Sequence, residues 1–238
     1  MAKLMIAMTA ALLASASAAQ TPGTSSTAAI QRCAAMASQA LGPDVKITAA
    51  MPVAAGPLNL SPPGQLAQSV TLPAHCKIEG MINERTGKDG KRYGIGFAIA
   101  LPENWNGRFL LMGGGGLNGS VHAPIGPVAA GDTPALARGF AVLSHDSGHK
   151  GPVFDSGFMA DQRATLDFAE ASVKTVALLG KAIAGNYYGK PVAHSYMTGC
   201  STGGREGMLA SQRYPELFDG IIVGAPAMRT GDSNLAIE

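Results

Sequence analysis

An α/β fold, with a mostly parallel sheet flanked by helices, is what this 238-residue sequence predicts. Three observations predict it. Short apolar runs alternate with longer helical stripes between residues 93 and 223. Glycine is abundant, at 31 residues, and gathers at the ends of the apolar runs, where strands turn sharply into loops or helices. The length suits one hydrophobic core rather than two.

In chain order, residues 28–41 predict a helix. Ile30, Ala34, Ala37 and Leu41 share one face, and Gly42-Pro43 stops it. Residues 43–74, with Pro62-Pro63-Gly64 at their centre, read as an irregular surface segment. Lys77–Asn83 and Tyr93–Leu101 read as strands separated by a polar turn, and these two can be antiparallel. In the second, Tyr93, Ile95, Phe97, Ile99 and Leu101 alternate with Gly and Ala, which predicts a strand covered closely on both faces. Arg108–Met112 and Phe140–Leu143 are short buried strands. Asp161–Ala184 carries the stripe Leu166, Ala169, Val173, Val176, Ala177 and Ile183, a helix closed by Gly185-Asn186. His194–Thr198 is a strand, Thr202–Arg213 a helix and Gly220–Val223 a strand.

Apolar residues make up 46% of the chain and charged residues 14%, with a formal net charge of +2 and no run of like charge. That composition excludes a disordered chain and gives no footprint for nucleic acid. At the N-terminus Lys3, the apolar Leu4–Leu13 and the small residues Ala16-Ser17-Ala18 read as a secretory signal over residues 1–19. The apolar run is too short to cross a bilayer, so no membrane partner is expected. Residues 20–75 then form an N-terminal helix and irregular segment, and 76–238 the start of a catalytic domain. A secreted or periplasmic location follows, where an odd cysteine count stands out. Cys33 and Cys76 can pair. Cys200 is then left without a partner, unless it is simply a buried free thiol.

The stretch that carries chemistry is Gly199-Cys200-Ser201-Thr202-Gly203, a Gly-x-Ser-x-Gly turn between a strand and a helix. Such a turn thrusts the Ser201 hydroxyl out at a helix N-terminus and needs glycine two residues to either side. There the Thr202 N–H can donate to a developing oxyanion. A helix-capping serine in a glycine-rich turn is the bland alternative, and a second loop weighs against it. Gly113-Gly114-Gly115-Gly116 directly follows a strand and lacks the Gly-Lys-Ser/Thr that a phosphate-cradling loop requires. It offers a second oxyanion amide, from Gly114 or Gly115.

Taken together, several motifs resemble the tannase/feruloyl esterase family. They are Gly199-Cys200-Ser201-Thr202-Gly203-Gly204-Arg205, Arg213-Tyr214-Pro215, Phe218-Asp219-Gly220, Gly224-Ala225-Pro226-Ala227, the upstream Asn104-Trp105-Asn106-Gly107-Arg108, the four-glycine loop and Asp146-Ser147-Gly148-His149. The resemblance runs from about Cys76 to the end. It implies an α/β-hydrolase core, a Ser-Asp-His triad and small-molecule esters of hydroxylated aromatic acids as substrates. It also implies that Cys200 pairs with a cysteine beside the catalytic histidine. A lid domain, often holding a structural calcium ion, is expected soon after Gly-Ala-Pro-Ala, and no cofactor is expected within this chain. Glu206 departs from the more usual glutamine, with little effect expected.

In this fold the acid and then the histidine follow the serine. All five histidines (His75, His122, His145, His149 and His194) precede Ser201, and only Asp219 and Asp232 follow it. The expectation is therefore an incomplete catalytic domain. His145 and His149 flank Asp146 but lack a third metal ligand, so a loop with internal hydrogen bonds is expected there. His194 reads as structural, and His122 as either pocket-lining or exposed. The competing functions are a secreted, non-catalytic binding module that keeps the turn as a relic, and a lipase or polyester hydrolase.

Overall fold

The computed structural model describes residues 26–60, 68–126 and 133–228. The expected signal and Asp232 lie outside them. The elements in chain order are α1 (Thr27–Ala35), β1 (Val45–Val53), β2 (Gly56–Leu60), β3 (Gln68–Leu72), β4 (His75–Thr86), β5 (Arg92–Pro102), β6 (Arg108–Met112), β7 (Ala141–His145), α2 (Gln162–Leu166), α3 (Ser172–Tyr188), β8 (His194–Cys200), α4 (Thr202–Arg213) and β9 (Gly220–Gly224).

Seven strands form one sheet in the order β1-β4-β5-β7-β6-β8-β9. β1, β4, β5 and β7 pair antiparallel, whereas β7, β6, β8 and β9 run parallel. β2 and β3 form a separate two-stranded sheet. The alternation along each strand then sorts the core. Ile78, Phe97, Ile99, Phe109, Leu111, Leu143 and Met197 face α1, α3 and α4 in one large cluster. Leu110, Val142 and Ala100 face the other way and pack against Ala135, Leu136 and Phe140.

Three sequence expectations need correction. Residues 43–74 are not irregular throughout: they contain β1, the edge strand beside β4, and the antiparallel pair β2 and β3, while Pro62-Pro63-Gly64 lie outside the described residues. The Pro and Gly content disguised them. An edge strand tolerates Pro52, and a register shift between Ile47 and Ala49 breaks the alternation that would have revealed β1. The first helix is shorter than 28–41 and is rotated. Ser26 caps it by accepting from the Ala29 N–H, and it buries Ala29 and Cys33, with Met36 in the following turn, while Ile30 stays exposed. The Cys33–Cys76 disulfide to β4 dictates that rotation. The third correction concerns Gly185-Asn186, which does not end the long helix. α2 and α3 join through a π-helical turn, Asp167–Ala171, and the helix runs on to Tyr188, where Gly189 at φ 68° stops it. Tyr188 stacks on Trp105 with ring centroids 4.0 Å apart, which secures the extra turn.

The parallel register positions the site. Met112 at the end of β6 lies opposite Thr198 of β8, and Cys200 lies opposite Gly224 of β9. The loops that follow β6, β8 and β9 therefore emerge together at one edge, at the carboxyl ends of the strands.

Candidate active site

Ser201 sits in the bend between β8 and α4 with φ 57° and ψ −118°. A non-glycine residue there is strained and persists only because its surroundings over-determine it. Three backbone hydrogen bonds hold it. The Ser201 N–H donates to the Gly224 carbonyl at 3.1 Å, and its carbonyl accepts from Arg205 and Ala227, each at 3.0 Å. The side chain is exposed and makes no capping hydrogen bond. The flanking glycines are obligatory. A Cβ on Gly199 would lie 2.6 Å from the Gly203 Cα, and one on Gly203 would lie 2.7 Å from the Gly114 carbonyl oxygen.

The four-glycine loop lies against this bend and is stitched to it. The Gly113 N–H donates to the Thr198 carbonyl at 2.8 Å, and the Gly203 N–H to the Gly114 carbonyl at 2.8 Å. The Thr202 hydroxyl donates to the Gly116 carbonyl. A cleft of about 460 Å³, bordered by Gly113, Gly114, Gly115, His122, Ile125 and Cys200, opens beside the bend.

The structure distinguishes among the proposed oxyanion amides. The Gly114 N–H donates to Glu206 Oε2 at 2.9 Å, and the Gly115 N–H to Asn118 Oδ1 at 2.6 Å. Both sequence-derived candidates in the loop are thus occupied within the protein. The Leu117 N–H is occupied too, by the Val153 carbonyl at 2.6 Å. Among the described residues, the Gly116 N–H is the loop amide with no recorded acceptor. The Thr202 N–H, in the first turn of α4, has no intrahelical acceptor either.

Sequence reasoning gave no role to three side chains behind the loop, Asn118, Ser147 and Glu206, all buried, although it noted Glu206 as a departure from the usual glutamine with little effect expected. The Ser147 hydroxyl donates to Glu206 Oε1 at 3.0 Å and accepts from the Asn118 amide. Asn118 and Ser147 have φ of 55° and 64°. No spacing rule flags the trio, because its members come from three separate segments.

The histidines are dispersed. His145 is fully buried, 3.9 Å from Glu206 Oε2, and burial lowers its pKa against the pull of that carboxylate. His149 stacks on Phe158 with centroids 3.6 Å apart, and burial lowers its pKa too. Asp146 between them is internal: one oxygen accepts from the Gly96 and Gly148 N–H groups, each at 2.9 Å. His75 bonds to the Pro73 carbonyl, and His194 lies 3.8 Å from Asp219 at the opposite end of β8 from Ser201. Asp219 itself accepts from the Ser195 N–H at 2.7 Å, which anchors the turn into β9. His122 both lines the cleft and is exposed. Among the described residues, no group of three or more His, Cys, Asp or Glu side chains could hold a metal ion. Cys33 and Cys76 are bonded, and Cys200 is a free, exposed thiol.

Known proteins resemble this chain in sequence and fold. Residues 76–236 match the family model described as tannase and feruloyl esterase. A mono(2-hydroxyethyl) terephthalate hydrolase of Piscinibacter sakaiensis is 44% identical over 168 residues, which cover 67% of this chain and 28% of that protein. The crystal structure of an esterase from Aspergillus oryzae superposes with a TM-score of 0.68 at 32% identity, over 84% of this chain and 38% of that one. Feruloyl esterase B from the same organism superposes equally well, with a TM-score of 0.68 at 30% identity, over 83% of this chain and 37% of that one. The chain thus spans well under half the length of these relatives. With its serine bend, its glycine loop and this run of matched residues, the chain belongs to the tannase and feruloyl esterase family of α/β-hydrolases.

Proposed function

We propose that the full protein carrying this chain is a secreted carboxylic ester hydrolase acting on esters of hydroxylated aromatic acids through an acyl-Ser201 intermediate. The observation that carries the reading is the strained Ser201, exposed at the start of α4 and facing a glycine loop bonded to its own turn. Ser201 Oγ attacks the ester carbonyl and loses its proton to a general base. The C–O bond to the alcohol breaks, and the alcohol leaves with that proton. Water then cleaves the acyl–serine bond, giving the acid and free Ser201. Negative charge develops on the carbonyl oxygen in both halves. The amides of Thr202 and Gly116 are the ones that receive it, since those of Gly114 and Gly115 are engaged elsewhere. The acid and base of the triad come from outside the described residues.

Names of relatives support aromatic acyl groups, both feruloyl and terephthaloyl. Export is supported by the N-terminal composition and by the Cys33–Cys76 disulfide, which persists in an oxidising compartment.

The test is Ser201→Ala in the full-length protein, assayed on methyl ferulate, methyl gallate and mono(2-hydroxyethyl) terephthalate. Loss of about 10³-fold or more in kcat is expected, the scale at which removing a triad serine acts. Normal turnover by the variant would end the proposal. Preference for aliphatic esters would move the protein to the lipase class.

A further inference from the structure

We infer that Glu206 is a positioning residue, whose carboxylate holds the glycine loop so that Gly116, rather than Gly114, presents its amide to the substrate carbonyl. The inference rests on the esterase reading above and adds to it a residue that no spacing or motif assigned.

Glu206 lies one helical turn beyond Thr202 on α4 and is 1% exposed. A carboxylate taken so far from water is tolerated only when its oxygens are bonded. Here each oxygen has one partner, from a different loop: the Gly114 N–H after β6, at 2.9 Å, and the Ser147 hydroxyl after β7, at 3.0 Å. Ser147 also accepts from Asn118, and Asn118 accepts from the Gly115 N–H at 2.6 Å. The bonds thus form a closed ring running from Gly114 through Glu206, Ser147 and Asn118 back to Gly115. Every donor in it is used once, and the two consecutive loop amides of Gly114 and Gly115 are taken up by side chains of the protein.

The ring explains details that otherwise stand alone. A Cβ on Gly114 would overlap the Asn118 side chain, so residue 114 must be glycine for the ring to close. A Cβ on Gly113 would lie 3.0 Å from Glu206 Oε2, so the carboxylate also limits the residue before it. The ring needs an acceptor at Glu206 for the Gly114 amide. A glutamine supplies that acceptor, and Ser147 can then turn its hydroxyl towards His145 Nδ1, 3.5 Å away. An alanine supplies nothing and frees the Gly114 amide.

The experiment compares Glu206→Ala, Glu206→Gln and wild type in the full-length protein. It measures kcat and KM on methyl ferulate, inhibition by an aryl trifluoromethyl ketone, and amide hydrogen exchange in Gly114–Gly116. With Glu206→Ala, kcat should fall about 10- to 100-fold with KM little changed, as expected when oxyanion geometry is lost but ground-state binding is kept. Ketone affinity should fall in parallel, and the Gly114 amide should exchange at least about tenfold faster. Glu206→Gln should recover most of each loss. If Glu206→Ala does not fold, Ser147→Ala opens the same ring from the other side and should give the same three changes more weakly. Unchanged Gly114 exchange, or unchanged ketone affinity, in a folded ring-opening variant overturns the inference. So does a Glu206→Gln protein as impaired as Glu206→Ala. If wild type hydrolyses no ester and a fluorophosphonate does not label Ser201, the esterase reading falls, while the exchange of Gly114 still decides the role of Glu206 in holding the loop.

Discussion

Asp146 illustrates how a single buried group writes its burial into the pH dependence of the whole chain. Burial pushes its carboxyl from 3.8 up to about 7, against the N–H groups of Gly148 and Gly96 that favour the charged form. A carboxyl raised on folding binds more protons folded than unfolded between about pH 4 and 7. Its contribution is therefore fully present below that window, declines as pH rises through it, and is flat above. His145, His149 and His75, all held below their usual range by burial, act with the opposite sign, because the unfolded chain takes up the extra protons as pH falls below about 6.5. Comparison with Asp146→Asn removes the histidine part. The stability advantage of wild type over the variant should shrink by a few kcal/mol, on the order of 4 at most, between pH 4 and 8 in denaturant titrations. A gap that stays constant with pH would show that Asp146 is not perturbed. The loop offers a second contrast at this scale. Gly114→Ala drives a methyl group into Asn118, whereas nothing lies within 4 Å of a Cβ at Gly115. The first should cost about 2–3 kcal/mol and the second under about 0.5, as read by thermal unfolding. Ser201 itself was legible from the sequence because its turn demands glycines at fixed offsets. Glu206 was not, because its importance comes from two loops distant in the chain.

At the level of elements, the strand–turn–helix alternation from β5 to β9 was readable because buried parallel strands are short apolar runs and α3 carries a long apolar stripe. β1 was not readable. It earns its place by pairing with β4 through Val45↔Ile82 to Val53↔His75, not by its own alternation. The rotation of α1 was equally hidden, since Ile30 and Cys33 both suit a buried face and only the bond to Cys76 chooses between them. That bond closes a separation of 43 residues and ties α1 to β4. Cys33→Ser together with Cys76→Ser should lower stability by about 2–4 kcal/mol, in line with loop-closure entropy for such a length. Chemical denaturation would measure it. An unchanged midpoint would mean that α1 is held by packing alone.

For the molecule as a whole, the sheet brings the ends of β6, β8 and β9 together but leaves the histidines elsewhere: two buried behind the loop, one against Pro73, one at the far end of β8 and one at the cleft rim. No described side chain is hydrogen-bonded to Ser201 Oγ. On the proposed function, in which the acid and base lie outside the described residues, a polypeptide of residues 1–238 should turn over methyl ferulate at least about 10³-fold more slowly than a protein carrying the complete triad. Robust Ser201-dependent turnover by that polypeptide would overturn the assignment of the acid and base to other residues.

The sequence by itself determined the α/β architecture, the place of the serine turn and the family, because these depend on local requirements: apolar periodicity, glycine where a Cβ cannot fit, and a strained turn of fixed length. Only the tertiary structure decided which loop amides remain free, which face α1 buries, and that Glu206, Ser147 and Asn118 act together. Those are properties of contacts between segments far apart in the chain, and the hydrogen-bonding capacity of each buried group is shared out only once those segments meet.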